Sequence, residues 1–116
     1  MRFVALVAIA ASEYEDTIKA VAKEVGADGA TIVQARGGGN GQKQSFFALT
    51  FEGNQTIMLY ILEEKLSKAV LKAINKEVQN NGTNCVAFTT QISHIVGLDG
   101  DLLKKFEDSI KLENDL

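Results

Sequence analysis

The stretch Arg36-Gly37-Gly38-Gly39-Asn40-Gly41 is the most conspicuous place in this 116-residue chain where chemistry could be done. Successive backbone amides with no Cβ in the way can cradle an anion. The stretch is not a P-loop, because that motif needs Lys directly after its last Gly, and here Gly41 is followed by Gln42-Lys43-Gln44. It is not a dinucleotide fingerprint either, since a strand pattern follows it where a helix would be required. By itself it reads as a surface loop with the backbone freedom of glycine.

The other reactive residue types are sparse. One Cys excludes an intrachain disulfide framework and a Cys-cluster metal site, and one His excludes a His-rich zinc centre within the chain. His94 sits in a strand pattern with no carboxylate or thiol at a readable spacing, and reads as a hydrogen-bonded structural histidine. Cys85 opens a strand and reads as a buried, inert thiol. Glu13/Glu15 and Glu63/Glu64 serve helix starts, where negative charge meets the positive end of the helix dipole. Ser45 and Thr50 have no base at a usable spacing. These residues assemble no enzyme.

Charge narrows the partners. The chain carries 12 Lys+Arg against 15 Asp+Glu, a formal net charge of -3. Neutralising phosphates needs a basic face, so no nucleic-acid partner is expected. Lys65, Lys68, Lys72 and Lys76 recur at helical spacing, with Glu64 and Glu77 nearby, and read as a solvated helix face.

The elements that position these residues follow from periodicity. Phe3 to Ile9 is a short apolar run of β-formers, a buried first strand. It imitates a secretory signal, but would have to end near residue 11, short of the roughly 15 to 30 residues such signals need. No apolar run approaches the roughly 18 residues of a membrane span. A cytoplasmic protein with no direct membrane insertion is expected. Ser12-Glu13-Tyr14-Glu15 reads as a capping box. Tyr14, Ile18, Val21, Ala22 and Val25 form one helical stripe over 13–25, stopped by Gly26. Residues 31–36 form a second strand, 45–51 a strand-like run, and 55–62 a further strand. A helix opened by Glu63-Glu64 buries Leu66, Val70, Ala73, Ile74 and Val78. Residues 85–95 form the last strand, and 101 onward begins a short amphipathic C-terminal helix.

This order is an α+β, ferredoxin-like βαββαβ sandwich with a Gly-rich excursion: a four-stranded antiparallel sheet with both helices on one face. The expected division is one domain over 1–98, with a loop segment over 37–53, and a helical tail over 99–116. Apolar residues on both sides of Val4-Ala5-Leu6-Val7 imply that the far face of the sheet is covered too, most simply by self-association.

With these pieces in order, the chain resembles the PII signal-transduction family, specifically its divergent PII-like members. The resemblance covers about residues 1–98 and is carried by Gly26 to Gly39, which looks like the family's G-x-x-G-x-T-V-x-x-x-R-G-x-G entry to its T-loop. Residues 55–62 and 64–74 resemble the third strand and second helix. The resemblance implies a homotrimer with inward-facing sheets and no enzymatic activity. It also implies an effector, often an adenine nucleotide, in clefts between subunits. The T-loop, here 37–53, would dock on a regulated protein such as a transporter or enzyme. Carried over by position, the implied effector residues are Thr31, Arg36, Gly37, Gly38, Gly39 and Gly82, with Lys43 supplying charge from the loop.

Two departures bear on the ligand. The family's phosphate loop ends Gly-x-Gly-Lys, whereas Gly82-Thr83-Asn84-Cys85 has no Lys, and the family's two Arg residues after the last strand have no counterpart in 93–98. Without these cations a triphosphate should bind poorly. The loop also lacks a Tyr to modify. Two alternatives share the fold class: a CutA-like trimer binding divalent metals, and a small ferredoxin-like-barrel enzyme with His94 as base.

Overall fold

Strict alternation along Phe3–Ala11 (β1) sends Leu6, Ala8 and Ala10 to one side of the strand, where all three are fully buried. The computed structural model describes residues 2–36, 44–46, 49–51 and 53–98. In chain order the elements are β1, a 3-10 turn Ser12–Tyr14, α1 Glu15–Glu24, β2 Thr31–Arg36, β3 Gln44–Phe46 and β4 Leu49–Phe51. They continue with β5 Asn54–Glu63, α2 Glu64–Asn81 and β6 Cys85–Gln91.

Four strands form an antiparallel sheet in the order β2-β5-β1-β6. Both helices pack on one face, where Ile18 and Ala22 of α1 and Val70 and Ile74 of α2 meet Leu6, Ala8, Ala10, Met58, Tyr60 and Leu62. This is the ferredoxin-like arrangement expected from the element order. Alternation sends Val7, Ile9, Ile57, Leu59, Ile61, Val33 and Phe88 to the opposite face, where Val33 remains 49% exposed.

The helix ends depart from expectation at one of three places. Gly26 (φ 112) stops α1 as anticipated: its amide donates to the Lys23 carbonyl at 3.0 Å and that of Ala27 to Ala22 at 2.9 Å, a Schellman pattern. The Glu63 carboxylate caps α2 by accepting from the amides of Lys65 (2.9 Å) and Leu66 (3.3 Å). The Ser12/Glu15 capping box does not form, and neither the 3-10 turn nor α1 has a side-chain cap. Both side chains are drawn instead onto the buried hydroxyl of Thr56.

The run 45–51 is two short antiparallel strands, with Ser45 opposite Thr50, rather than one. β-propensity is the same for a straight strand and for a hairpin, so composition could not tell them apart. β6 ends at Gln91 and not near 95, because Gln91 pairs with Val4, next to the first residue of β1, and the ladder runs out of partner. The core of the glycine stretch, residues 37–43, and the expected C-terminal helix lie outside the described residues.

Candidate effector site

At one end of the sheet three connections converge. β2 leaves at Arg36, opposite Asn54 where β5 begins. β1 ends at Ala11, opposite Gln55, and β6 begins at Cys85, opposite Ala10. The mouth of the 37–53 segment, the β1–α1 corner and the α2–β6 turn therefore share one edge of the molecule.

A polar cluster braces that edge. Thr56 is fully buried in β5, and its hydroxyl lies 3.1 Å from Ser12 Oγ, 3.1 Å from Glu15 Oε1 and 3.3 Å from Gln34 Oε1. Gln34 Nε2 donates to Glu15 Oε1 at 3.0 Å, and Glu15 Oε2 pairs with Lys19 Nζ at 3.7 Å. One hydroxyl proton thus has three acceptors in reach, and the amide of Gln34 supplies the carboxylate with a further donor. The cluster ties the last residues of β2, just before the glycine stretch, to α1 and the centre of the sheet.

The α2–β6 turn is held by a second device. Gly82 caps α2 in the left-handed conformation (φ 63, ψ 25), and its amide donates to the Val78 carbonyl at 3.0 Å. The Glu77 carboxylate accepts from Asn81 Nδ2 at 3.0 Å and from the buried Thr83 hydroxyl at 3.2 Å. Both flanks of Gly82 are thereby fixed by one carboxylate.

Of the residues singled out by sequence, Arg36 and Gly82 lie at this end, whereas exposed Thr31 starts β2 opposite Leu59, at the other end. β2 and β6 are the two edge strands, so the loop base and the Gly82 turn are separated by three strand spacings, about 14 Å. Gly37, Gly38, Gly39 and Lys43 lie outside the described residues. His94 is exposed beyond the end of β6. Cys85 is 7% exposed, and burial pushes its thiol up to about 11, which keeps it protonated and unreactive. Lys65, Lys68, Lys72 and Lys76 are all exposed, with Lys68 paired to Glu64 at 3.9 Å. Among the described residues no three His, Cys, Asp or Glu are grouped to hold a metal ion, and no helix is long and apolar enough to cross a membrane.

Sequence reasoning missed the Thr56 cluster. The available signals were a lone Thr leading the apolar run 57–62 and a Gln inside the apolar strand Ile32-Val33-Gln34-Ala35.

Comparison with solved structures supports the same architecture. The chain is similar to a candidate PII-like signaling protein of Thermus thermophilus, with a TM-score of 0.59 and 22% identity over 79% of this chain and 90% of that one. It is also similar to CPII, a nitrogen regulatory PII-like protein of Thiomonas intermedia solved with ADP, AMP and bicarbonate. There the TM-score is 0.60 and the identity 15%, over 84% of this chain and 98% of that one. The apo form of CPII matches with a TM-score of 0.57 and 17% identity, over 79% of this chain and 90% of that one. No curated protein matches the sequence. The family model for nitrogen regulatory protein P-II matches residues 3–99, nearly the whole described fold, and the chain belongs to that family.

Proposed function

We propose that the protein is a homotrimeric PII-like regulator that binds a small effector in clefts between subunits, with an adenine nucleotide as the ligand class. It would signal through residues 37–53 to a partner protein such as a transporter or enzyme. The observation that carries this reading is the shared end of the sheet, where the mouth of 37–53 and the Gly82 turn emerge about 14 Å apart. That span suits an extended ligand or a second subunit closing the gap better than a compact ligand held by one chain. Thr31, Arg36, Gly37, Gly38, Gly39, Lys43 and Gly82 are the proposed contacts. Thr31 lies at the far end of β2, so its contact would be made to the ligand of a neighbouring subunit.

Two further observations support the reading. The sheet face away from the helices is apolar, with Val33 and Phe88 exposed, and a trimer with inward sheets would cover it. CPII, which shares the fold, was solved with ADP and AMP. The missing family cations favour a ligand with fewer charges than ATP. Residues 99–116 form, in this proposal, a helical tail outside the 1–98 domain, and the protein works in the cytoplasm.

The test is native mass spectrometry with and without AMP, ADP and ATP. A trimer that gains nucleotide mass, AMP or ADP before ATP, is expected. A monomer or dimer overturns the trimer, and a trimer that gains no mass overturns the nucleotide.

A further inference from the structure

A groove of about 550 Å³ runs between α1 and α2. Its floor is apolar: Val21 of α1 and Val25 at the helix end, facing Ala69 and Ala73 of α2. These residues lie beside the buried stripe Ile18, Ala22, Val70 and Ile74, which faces the sheet. The small side chains at 69 and 73 keep the groove open, and Val25 remains 37% exposed. Lys72 and Lys76 stand along its α2 rim and Glu24 along its α1 rim. None of the three has an ion pair among the described residues. An apolar floor between rims of opposite charge is a shape that takes an amphipathic helix.

The chain carries such a segment in its own tail. Residues 99–116 hold six of the 15 acidic residues and three of the 12 basic ones, so the whole net charge of -3 lies there and residues 1–98 are neutral. Leu102, Leu103, Phe106 and Ile110 recur at helical spacing and make one apolar stripe. At 3.6 residues per turn that stripe is flanked by Glu107 on one side and Lys105 on the other. One direction along the groove sets Glu107 against Lys72 and Lys76, and Lys105 against Glu24. Such exposed pairs add little affinity, so they fix the direction while the floor supplies the binding.

The tail is within reach. Gln91, the last residue of β6, lines a small cavity together with Glu64 and Lys68 of α2. Ala69 follows Lys68 directly, so the groove opens on the far side of the same helix, about 10–12 Å across. Residues 92–101 can span up to about 33 Å when extended. The other apolar surface, the sheet face with Val7, Ile9, Val33, Ile57, Leu59 and Phe88, presents no Lys or Arg among the described strand positions. Charge therefore favours the groove over the sheet.

We propose that residues 101–110 form a helix that docks in this groove with Phe106 on its floor, so that the chain's own C-terminal segment covers the outer side of the α1–α2 pair. The docking does not depend on the nucleotide. The test uses the full chain with a reporter thiol at an exposed groove position, Ala69→Cys, while native Cys85 is buried. Thiol labelling is timed with the native tail and again with Phe106→Asp added. Phe106→Asp should speed labelling by about tenfold, as when a segment that opens a tenth of the time is set free. Equal rates overturn the docking. The thiol of Val33→Cys reports on the sheet face: acceleration there by Phe106→Asp, with position 69 unmoved, places the tail on the sheet and overturns the groove. A converse measurement leaves position 69 native. Val25→Asp, at an exposed place on the floor, should bring amide hydrogen exchange of residues 101–110 up to that of an undocked segment. Tail amides that exchange equally fast with and without Val25→Asp also overturn the docking.

Discussion

The Thr56 hydroxyl lies 3.1 Å from Glu15 Oε1, joining a fully buried position of β5 to the first residue of α1. The residues lie 41 positions apart in sequence, and their contact explains why the β1–α1 corner does without a capping box. Thr56→Val keeps the shape and removes the hydroxyl, while Gln34 and Glu15 still satisfy each other. A loss of about 1–2 kcal/mol is expected from denaturant unfolding at fixed protein concentration. An unchanged midpoint would mean the cluster adds nothing to stability.

Gly82→Ala tests the α2–β6 turn. Nothing lies within 4 Å of a Cβ added there, so the whole cost is that of the left-handed backbone at φ 63. That cost is about 1–2 kcal/mol, and Gly82→Asn should recover part of it, since Asn tolerates this conformation. Equal thermal midpoints for glycine and alanine would be inconsistent with the turn described.

Cys85 predicts a pH dependence. Its folded value of about 11 stands above the ordinary value of 9.0, so below the lower value the thiol is protonated in both states and its contribution is constant. Between the two values the unfolded chain releases the proton first, and stability falls as pH rises. Thiol labelling of the native protein at mildly alkaline pH should therefore be slow and become fast on unfolding. Labelling as fast as that of the unfolded chain would contradict a buried, protonated thiol.

Val33→Asp places a charge on the apolar sheet face at a position 49% exposed in the single chain. The isolated fold should tolerate it, whereas an oligomer buried through this face should dissociate. Light scattering coupled to size exclusion reads the result, and an unchanged mass would move the interface elsewhere.

Deletion of residues 40–44 shortens the proposed signalling loop without touching the four-stranded sheet. The oligomer should persist by native mass spectrometry while capture of the regulated partner is lost. Retained capture would sink the loop mechanism.

Much of this molecule is legible in the order of its residues because the determinants are local. The stripe Leu66, Val70, Ile74 and Val78 has helical period, the run 55–62 has strand composition, and Gly26 and Gly82 close their helices through backbone angles that glycine adopts without strain. From these the antiparallel sheet with two helices on one face follows, since few layer arrangements bury such stripes. The extent of β6 was not local. It is decided by where β1 stops, which only pairing reveals.

The polar contacts were the least legible of all. Ser12 and Glu15 stand at capping-box spacing, but a buried hydroxyl brought from residue 56 competes for both side chains and wins, because an unpaired donor in the core costs more than an uncapped helix start in contact with water. Tyr60 reads in sequence as one more apolar strand residue, and only the tertiary fold shows it lining a small cavity together with Lys19 and Lys23 of α1. Sequence by itself determined the two main helices, the strands of the four-stranded sheet, their order and the family, because periodicity and backbone preference act over a few residues. Tertiary structure alone decided which polar groups meet, because that depends on strand register and on the competition of buried donors for distant acceptors.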